Sequence, residues 1–495
     1  MNGIFRKPVG ADATGDAIPF FHDGMYHIFS LTPPAGTTVY PDRLRTTWSH
    51  TVSRDLWNWE ELPTALCPGM GSEPDADGIW TGSVIFGKGL YHIFYTGYNY
   101  HIKTQQTICH ATSEDGISWM KDPDNPILVP LTDLYRPLDW RDPYIFFNKD
   151  DGCYWLLVSA RLRKGPSSKS GCIVLFRSDD LSHWVHYGPI YTPYHTNCPE
   201  CSEMYKLKDT WYLSYSRFSE HVETIYRMAD SPFGPWRTPR IDGIGGRRFY
   251  AAKSCINSEG RCIYFGWVHD RADGRDDGEW YWGGDFCVPH EVIPNSYREL
   301  DVKMPYEIES GLSARVLPWS LVPRLGQVTS AGNKSISINS PGSFGYSLLK
   351  IHEKTFLFRC RVRISYCRDN FGILFKTDAD ANQCLELCFE IGMQRASLLS
   401  LPMDVDPFWR KSCTDVGSPA VPGPDGNRVA EKHFTVVDGS TFEISALVDH
   451  DLVEIFVGEK IAFTYRIYRQ VDYQMGLFVR DGLVDFTNIR ITGCE

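Results

Sequence analysis

Five apolar, tyrosine-bearing stretches decide the reading of this chain: Met25-Tyr26-His27-Ile28-Phe29, Leu90-Tyr91-His92-Ile93-Phe94-Tyr95, Cys153-Tyr154-Trp155-Leu156-Leu157, Trp211-Tyr212-Leu213-Ser214-Tyr215 and Cys262-Ile263-Tyr264-Phe265-Gly266. Their central tyrosines are 65, 63, 58 and 52 residues apart. Strand-forming sequence that repeats at this period predicts an all-β fold, the blades of a five-bladed β-propeller. Three of the strands follow a carboxylate at nearly one interval: Asp16 ten residues before the first, Asp142 twelve before the third, Glu200 twelve before the fourth. Equivalent positions in successive blades face one axis, so these three acids are expected to share a pocket.

A second repeat has the form S-x-D-x-x-x-W. It occurs as Ser53-Arg54-Asp55-Leu56-Trp57-Asn58-Trp59, Ser113-Glu114-Asp115-Gly116-Ile117-Ser118-Trp119 and Ser178-Asp179-Asp180-Leu181-Ser182-His183-Trp184, with a looser copy from Asp230 to Trp236. The Ser or Asp starts a turn by bonding nearby backbone, and the tryptophan is expected to pack between blades as core. The repeat stops near Pro305, which gives a propeller domain over 1–305. Residues 306–330 are expected as a linker. Over 331–495 the sequence alternates with period two, as in 358–364, 371–375 and 385–389, with further strands to residue 479. Short half-buried strands at this spacing predict a C-terminal antiparallel β-sandwich. The Pro- and Gly-rich stretch Gly417 to Gly426 reads as an exposed loop.

Bulk properties exclude several partners. The chain has 495 residues and net charge −11, from 50 basic and 61 acidic side chains. It has no basic stripe of the kind a nucleic-acid backbone requires. No apolar run is long enough to span a membrane. The first eight residues carry no apolar core of a secretory signal. The fifteen cysteines are an odd number without disulfide-framework spacing. They are expected as reduced, buried thiols in a cytoplasmic protein, although a chain trimmed of a leader would read the same. Aromatic content of 14% suits rings lining a ligand site as well as a core.

Paired carboxyl groups with separated pKa values perform glycoside hydrolysis, one ionised and one holding a proton for the leaving oxygen. Asp16 in Gly15-Asp16-Ala17-Ile18 and Glu200 in Cys198-Pro199-Glu200-Cys201 sit in apolar settings, where burial favours the protonated form. Arg141 beside Asp142 is expected to keep that carboxylate ionised or to bind substrate hydroxyls. Strand neighbours point to opposite faces, so Arg141 and Asp142 reach one pocket only if a bulge re-aims one of them. Each acid taken singly also fits a turn cap or a blade-to-blade ion pair. The Cys198/Cys201 pair lacks the second Cys or His pair that zinc needs. His27 and His92 read as core, and Pro289-His290-Glu291 as structural. Trp280-Tyr281-Trp282 fits either a sugar-stacking platform or core. No metal and no cofactor is called for.

The ordered blocks resemble glycoside hydrolase family 32, the invertases, inulinases and levanases. Trp48-Ser49-His50-Thr51-Val52-Ser53-Arg54-Asp55-Leu56 resembles that family's W-G-H-A-V-S-x-D-L block. Trp80-Thr81-Gly82-Ser83 resembles F-S-G-S, Arg141-Asp142-Pro143 is its R-D-P triplet, and Glu200-Cys201 its E-C pair. Phe249-Tyr250-Ala251-Ala252-Lys253-Ser254 and Gly266-Trp267-Val268 resemble its fifth-blade blocks. The resemblance implies Asp16 as nucleophile, Asp142 as transition-state stabiliser and Glu200 as acid/base. It implies substrate contacts at Trp48, Trp80, Thr81, Arg141, Tyr250 and Trp267, with Trp80 and Trp267 as an apolar wall. It also implies a retaining mechanism, with Asp16 and Glu200 carboxyls about 5–5.5 Å apart.

Two departures bear on the substrate. Gly15 stands where the family's N-D-P-N-G block has asparagine, and Ser30-Leu31 where it has Y-Q. Changing polar lining changes specificity more than chemistry. The leading expectation is a fructosidase acting on an oligosaccharide. The alternatives are another furanoside (an arabinofuranoside or a modified fructosyl compound), transfer to a sugar, and a non-catalytic carbohydrate-binding protein. Homo-oligomer formation and the role of the sandwich are left open by the residues.

Overall fold

The computed structural model describes residues 3–219, 221–403 and 425–494; positions 417–424 of the expected Pro/Gly-rich loop lie outside these. The chain forms two compact units, one of residues 3–269 and 282–308, the other of residues 270–281 and 309–494.

The first unit is a five-bladed β-propeller. Its sheets contain the strands of residues 15–66, 78–121, 141–191, 200–229 and 250–303. The innermost strands are Gly15–His22, Gly78–Gly87, Arg141–Asn148, Glu200–Leu207 and Tyr250–Ile256. Each pairs antiparallel with the tyrosine-bearing strand that follows it. The middle strands are almost wholly apolar because blades cover both of their faces; Trp155 and Tyr264, for example, have no exposed surface. Thr14 and Gly284 exchange backbone hydrogen bonds of 2.8 and 2.9 Å, joining the first blade to the last.

The S-x-D-x-x-x-W turns form as expected. Asp55, Asp115 and Asp180 each accept backbone N–H groups two and three residues on, at 2.7–3.1 Å. The tryptophans then bridge blades. Trp119 meets Phe29 edge-on at 6.0 Å, Trp184 meets Phe94 at 5.4 Å, and Trp236 meets Tyr191 at 6.5 Å.

The second unit is an antiparallel β-sandwich built on two long strands, Thr355–Thr377 and Tyr473–Gly493. The first half of Thr355–Thr377 pairs with Thr441–Asp449 and its second half with Cys384–Glu390, so one strand serves both parts of the sandwich. Residues 306–330, expected as a linker, carry a short helix, Tyr306–Leu312, and three strands. Trp319–Leu325 and Gln327–Ser330 pair with Ile336–Ile351 and extend the sandwich sheet. The excursion 270–281 from the fifth blade belongs to this unit. Its Arg271 guanidinium lies 3.7 Å over the Trp280 ring, and its Asp276 pairs with Arg469 at 3.0 Å.

The described cysteines are all free thiols, most of them buried. Among the described residues no helix is long and apolar enough to cross a membrane, and no group of three or more His, Cys, Asp or Glu is placed to hold a metal ion.

Candidate active site

Every innermost strand of the propeller carries one extra residue at the same height. The register slips between Gly15 and Ala17, between Trp80 and Gly82, and across Asp142-Pro143, Cys201-Ser202 and Ala251-Ala252. Four of these bulges hold a non-glycine residue at positive φ: Asp16 (25°), Asp142 (56°), Cys201 (51°) and Ala251 (46°). A bulge turns a side chain that alternation would send elsewhere. Arg141 and Asp142 therefore both line one cavity, as only a bulge allows. Left-handed backbone at a non-glycine residue costs energy, and four blades carry it at this site.

The cavity holds about 270 Å³ and is lined by Asp16, Thr81, Asp142, Glu200 and Tyr250, one or more residues from each blade. Typical ligand clefts run to ~300–1,000 Å³, so this one has room for little more than a single sugar unit. Both oxygens of Asp16 are held. Oδ1 accepts the Trp267 indole N–H at 2.9 Å, and Oδ2 accepts the Thr81 hydroxyl. Asp142 Oδ2 accepts the Cys201 backbone N–H at 2.8 Å. Glu200 is gripped at both ends, Oε1 by Arg141 Nη2 at 2.9 Å and Oε2 by the Tyr250 hydroxyl. Arg141 also reaches Asp139 at 2.5 Å, whereas its nearest approach to Asp142 is 3.8 Å. It thus serves Glu200 and Asp139 first, rather than Asp142 as expected from adjacency.

Burial governs the ionisation of the two aspartates. It pushes Asp16 up to about 6, against the bonds from Thr81 and Trp267 and with added repulsion from Glu200. It pushes Asp142 up to about 7, because the nearby Arg141 offsets only part of the cost. Asp139 behaves oppositely: burial works against its charge, but Arg141 and Arg161 outweigh this and hold its carboxyl below the usual value. Beneath the cavity, Lys253 is buried and donates to the Gly82 carbonyl at 2.5 Å, and burial lowers its pKa.

Seven of the nine residues expected at the site line the cavity: Asp16, Asp142, Glu200, Trp80, Thr81, Arg141 and Tyr250. Trp48 does not. It lies on the third strand of the first blade, Thr47–Ser53, is fully buried in the core between the first two blades, and donates its indole N–H to the Trp80 carbonyl at 3.1 Å. Trp267 is not a wall either, since it sits behind Asp16 as a hydrogen-bond donor with no exposed surface. Trp282 is the tryptophan that lines the cavity together with Trp80.

Sequence reasoning missed Leu44, Thr46, Gln106, Asp139 and Cys201 as lining residues. Leu31 was flagged only as a departure from a pattern. The two residues before R-D-P were a usable signal for Asp139, which sits at positive φ (61°) as the chain enters the blade. Gln106, at the start of the third strand of the second blade, accepts from Arg141 at 3.3 Å and had no such signal.

The profile of the glycosyl hydrolases family 32 N-terminal domain matches residues 17–299, beginning one residue after Asp16. That of the family 32 C-terminal domain matches residues 331–493. A fructan 6-exohydrolase of Triticum aestivum is 31% identical over 518 residues, covering 91% of this chain and 82% of the relative. An insoluble isoenzyme of β-fructofuranosidase from Arabidopsis thaliana is 29% identical over 328 residues, covering 59% of this chain and 53% of the relative. The chain thus spans about half the length of the latter. Among solved structures, the sucrose-6-phosphate hydrolase of Lactobacillus gasseri is similar with a TM-score of 0.72 at 18% identity, over 100% of this chain and 93% of that one. The fructan 1-exohydrolase IIa of Cichorium intybus gives 0.72 at 18%, over 100% and 97%. At that identity the structural likeness speaks for the fold alone. With both domain profiles matched over most of its length, the chain belongs to glycosyl hydrolase family 32.

Proposed function

We propose that the protein is a retaining glycosidase that releases terminal β-fructofuranosyl units from sucrose-type or fructan oligosaccharides. The observation that carries this reading is the convergence of Asp16, Asp142 and Glu200, from three different blades, on one cavity. In the proposed first step Asp16 attacks the anomeric carbon C2. The bond to the leaving oxygen breaks as Glu200 gives that oxygen its proton, and a fructosyl ester forms on Asp16. Water then attacks C2 while Glu200 takes its proton, and Asp16 leaves as carboxylate. The bonds from Trp267 and Thr81 fix the attacking carboxylate in one orientation before substrate arrives. Arg141 and Tyr250 do the same for Glu200. Asp142 is placed to accept hydroxyls of the sugar as charge develops.

A second reading within the same chemistry is a different furanoside. Leu31, standing where the family pattern has glutamine, and Trp282, packed against Gly15 where it has asparagine, supply apolar surface, while Gln106 and Asp139 supply polar groups to the lining. The test is a panel of sucrose, inulin, levan and an aryl arabinofuranoside, read as free monosaccharide. Release of fructose from the first three supports the leading reading. Release only from the arabinofuranoside replaces it with the second, and release from none removes both.

A further inference from the structure

Thr81 is the extra residue in the bulge of the second blade, because Trp80 pairs with Thr96 and Gly82 with Tyr95. Its hydroxyl donates to Asp16 Oδ2 in the first blade. A bulge takes its extra residue out of the ladder, so other contacts have to hold Thr81 in place. The two successive carbonyls here are both taken. Thr81 O accepts the Thr96 hydroxyl at 2.9 Å, and Thr96 Oγ1 accepts the Asp142 backbone N–H at 2.8 Å. Gly82 O accepts the Lys253 ammonium at 2.5 Å, across 171 residues of sequence. No side chain fits at position 82, where a Cβ would run into the Phe94 carbonyl oxygen.

Lys253 comes from the innermost strand of the fifth blade and is 1% exposed. The residue after it is anchored to the fourth blade, where Glu203 accepts the Ser254 backbone N–H at 2.8 Å and its hydroxyl at 2.9 Å. The Lys253 ammonium lies 5.3 Å from the ring centroid of Tyr144 in the third blade. Burying an ammonium is unfavourable, and burial lowers the pKa of this one. An apolar side chain of similar length would fill the same space without that penalty. The cation therefore calls for a role beyond packing, and the carbonyl it holds is one residue from the Thr81–Asp16 bond.

We propose that Lys253 is a positioning residue for the nucleophile: it pins the Gly82 carbonyl, and with it the bulge that presents the Thr81 hydroxyl to Asp16. This rests on the reading of Asp16 as nucleophile given above. Lys253 does not line the cavity. Glu200 is held by separate partners, Arg141 and Tyr250. Loss of the lysine therefore harms attack at C2 and spares proton donation to the leaving oxygen.

The test compares kcat/KM for sucrose with kcat/KM for fructosyl fluoride, whose leaving group needs no acid. Lys253→Met should lose about tenfold or more, by the same factor on both substrates. Glu200→Ala, the acid control, should lose activity on sucrose and keep most of it on the fluoride. General loosening of the site would harm acid and nucleophile together and make the sucrose loss the larger. Lys253→Met should also add little to Thr81→Val, since both break one chain of contacts. Folding of each variant is read from its thermal transition, and Lys253→Gln takes the place of Lys253→Met if the latter does not fold. Parental kcat/KM in the lysine variant, a loss larger on sucrose than on the fluoride, or additive losses with Thr81→Val overturns the proposal alone. Parental turnover of the fluoride by Asp16→Asn instead removes the nucleophile assignment, and this proposal with it.

Discussion

The indole of Trp282 occupies the space into which a side chain at Gly15 would project: a Cβ on Gly15 would lie 2.5 Å from Trp282 Cζ2. The residue that departs from the family's asparagine and the aromatic wall of the cavity are thus one adaptation, since the ring can sit there only because position 15 has no side chain. Trp282 is also held edge-on against Trp267 at 5.7 Å and through its backbone. Its N–H donates to the Tyr40 hydroxyl at 3.0 Å and its carbonyl accepts from Arg43.

Gly15→Ala should therefore displace Trp282 and lower kcat/KM about tenfold or more, chiefly through KM. Trp282→Ala should have a similar effect. The two substitutions share one mechanism, so the double variant should be no worse than Trp282→Ala alone. Steady-state kinetics on the four proteins checks this, and additive losses would separate the two residues.

Arg141→Lys should cost more than a conserved charge suggests. One guanidinium reaches Glu200 at 2.9 Å and Asp139 at 2.5 Å with different nitrogens, and a single ammonium cannot span both. The expected loss in kcat is about 10²-fold, within the range for a misplaced general acid. Tyr250→Phe, which removes the other grip on Glu200, should fall in the same direction. A normal kcat in both variants would remove positioning of Glu200 from the mechanism.

Asp142→Asn should stabilise the fold while abolishing turnover. Burial raises the folded pKa of Asp142 to about 7, above the ordinary 3.8, so the folded state keeps a proton that the unfolded chain releases between these values. The contribution to stability is fully present below 3.8 and is lost as pH rises towards 7. The amide avoids that loss. The expected gain is about 2 kcal/mol at pH 8 and near zero at pH 4, read from chemical unfolding at both values. A gain independent of pH would point to packing instead.

The histidine pairs titrate in the opposite sense. His27 Nδ1 and His50 Nε2 are 3.0 Å apart on neighbouring strands of the first blade, and His92 and His110 repeat the arrangement in the second. Burial lowers His27 to about 4, His50 to about 3 and His92 to about 4. The unfolded chain takes up protons from about pH 6.5 that the folded pairs refuse, so this contribution is present above 6.5 and is lost as pH falls towards 4. His50→Leu should lessen the acid loss by roughly 2 kcal/mol at pH 4.5. Parallel pH–stability curves for the variant and the parent would contradict the assignment.

The convergence of the three acids was legible because strand period and carboxylate offset travel together along the chain. The bulges that complete the site were not legible. A left-handed residue is normally announced by glycine, and here Asp16, Asp142, Cys201 and Ala251 fill that role. Without the bulges, strand alternation gives no reason for Arg141 and Asp142 to meet in one cavity. Trp48 and Trp267 were misplaced for a related reason. Each stands in a block tied to the site, but on a third or a middle strand whose side chains fill the space between blades or behind the acids. Trp280 and Trp282 look alike in sequence, two residues apart, yet Trp280 packs on Arg271 and Tyr465 of the second unit while Trp282 lines the cavity of the first. The strands within 306–330 are short and largely exposed, so they offered little alternation to read.

The most direct measurement of the proposed chemistry is mass spectrometry of the Glu200→Ala protein after reaction with an activated fructosyl donor such as a fructosyl fluoride. The good leaving group needs no acid, and the missing base slows hydrolysis of the ester. The expected result is one anhydrofructose unit attached to the peptide containing Asp16, absent in the Asp16→Asn, Glu200→Ala protein. An adduct on another residue, or rapid turnover with no adduct, would contradict Asp16 as nucleophile and the double-displacement mechanism with it.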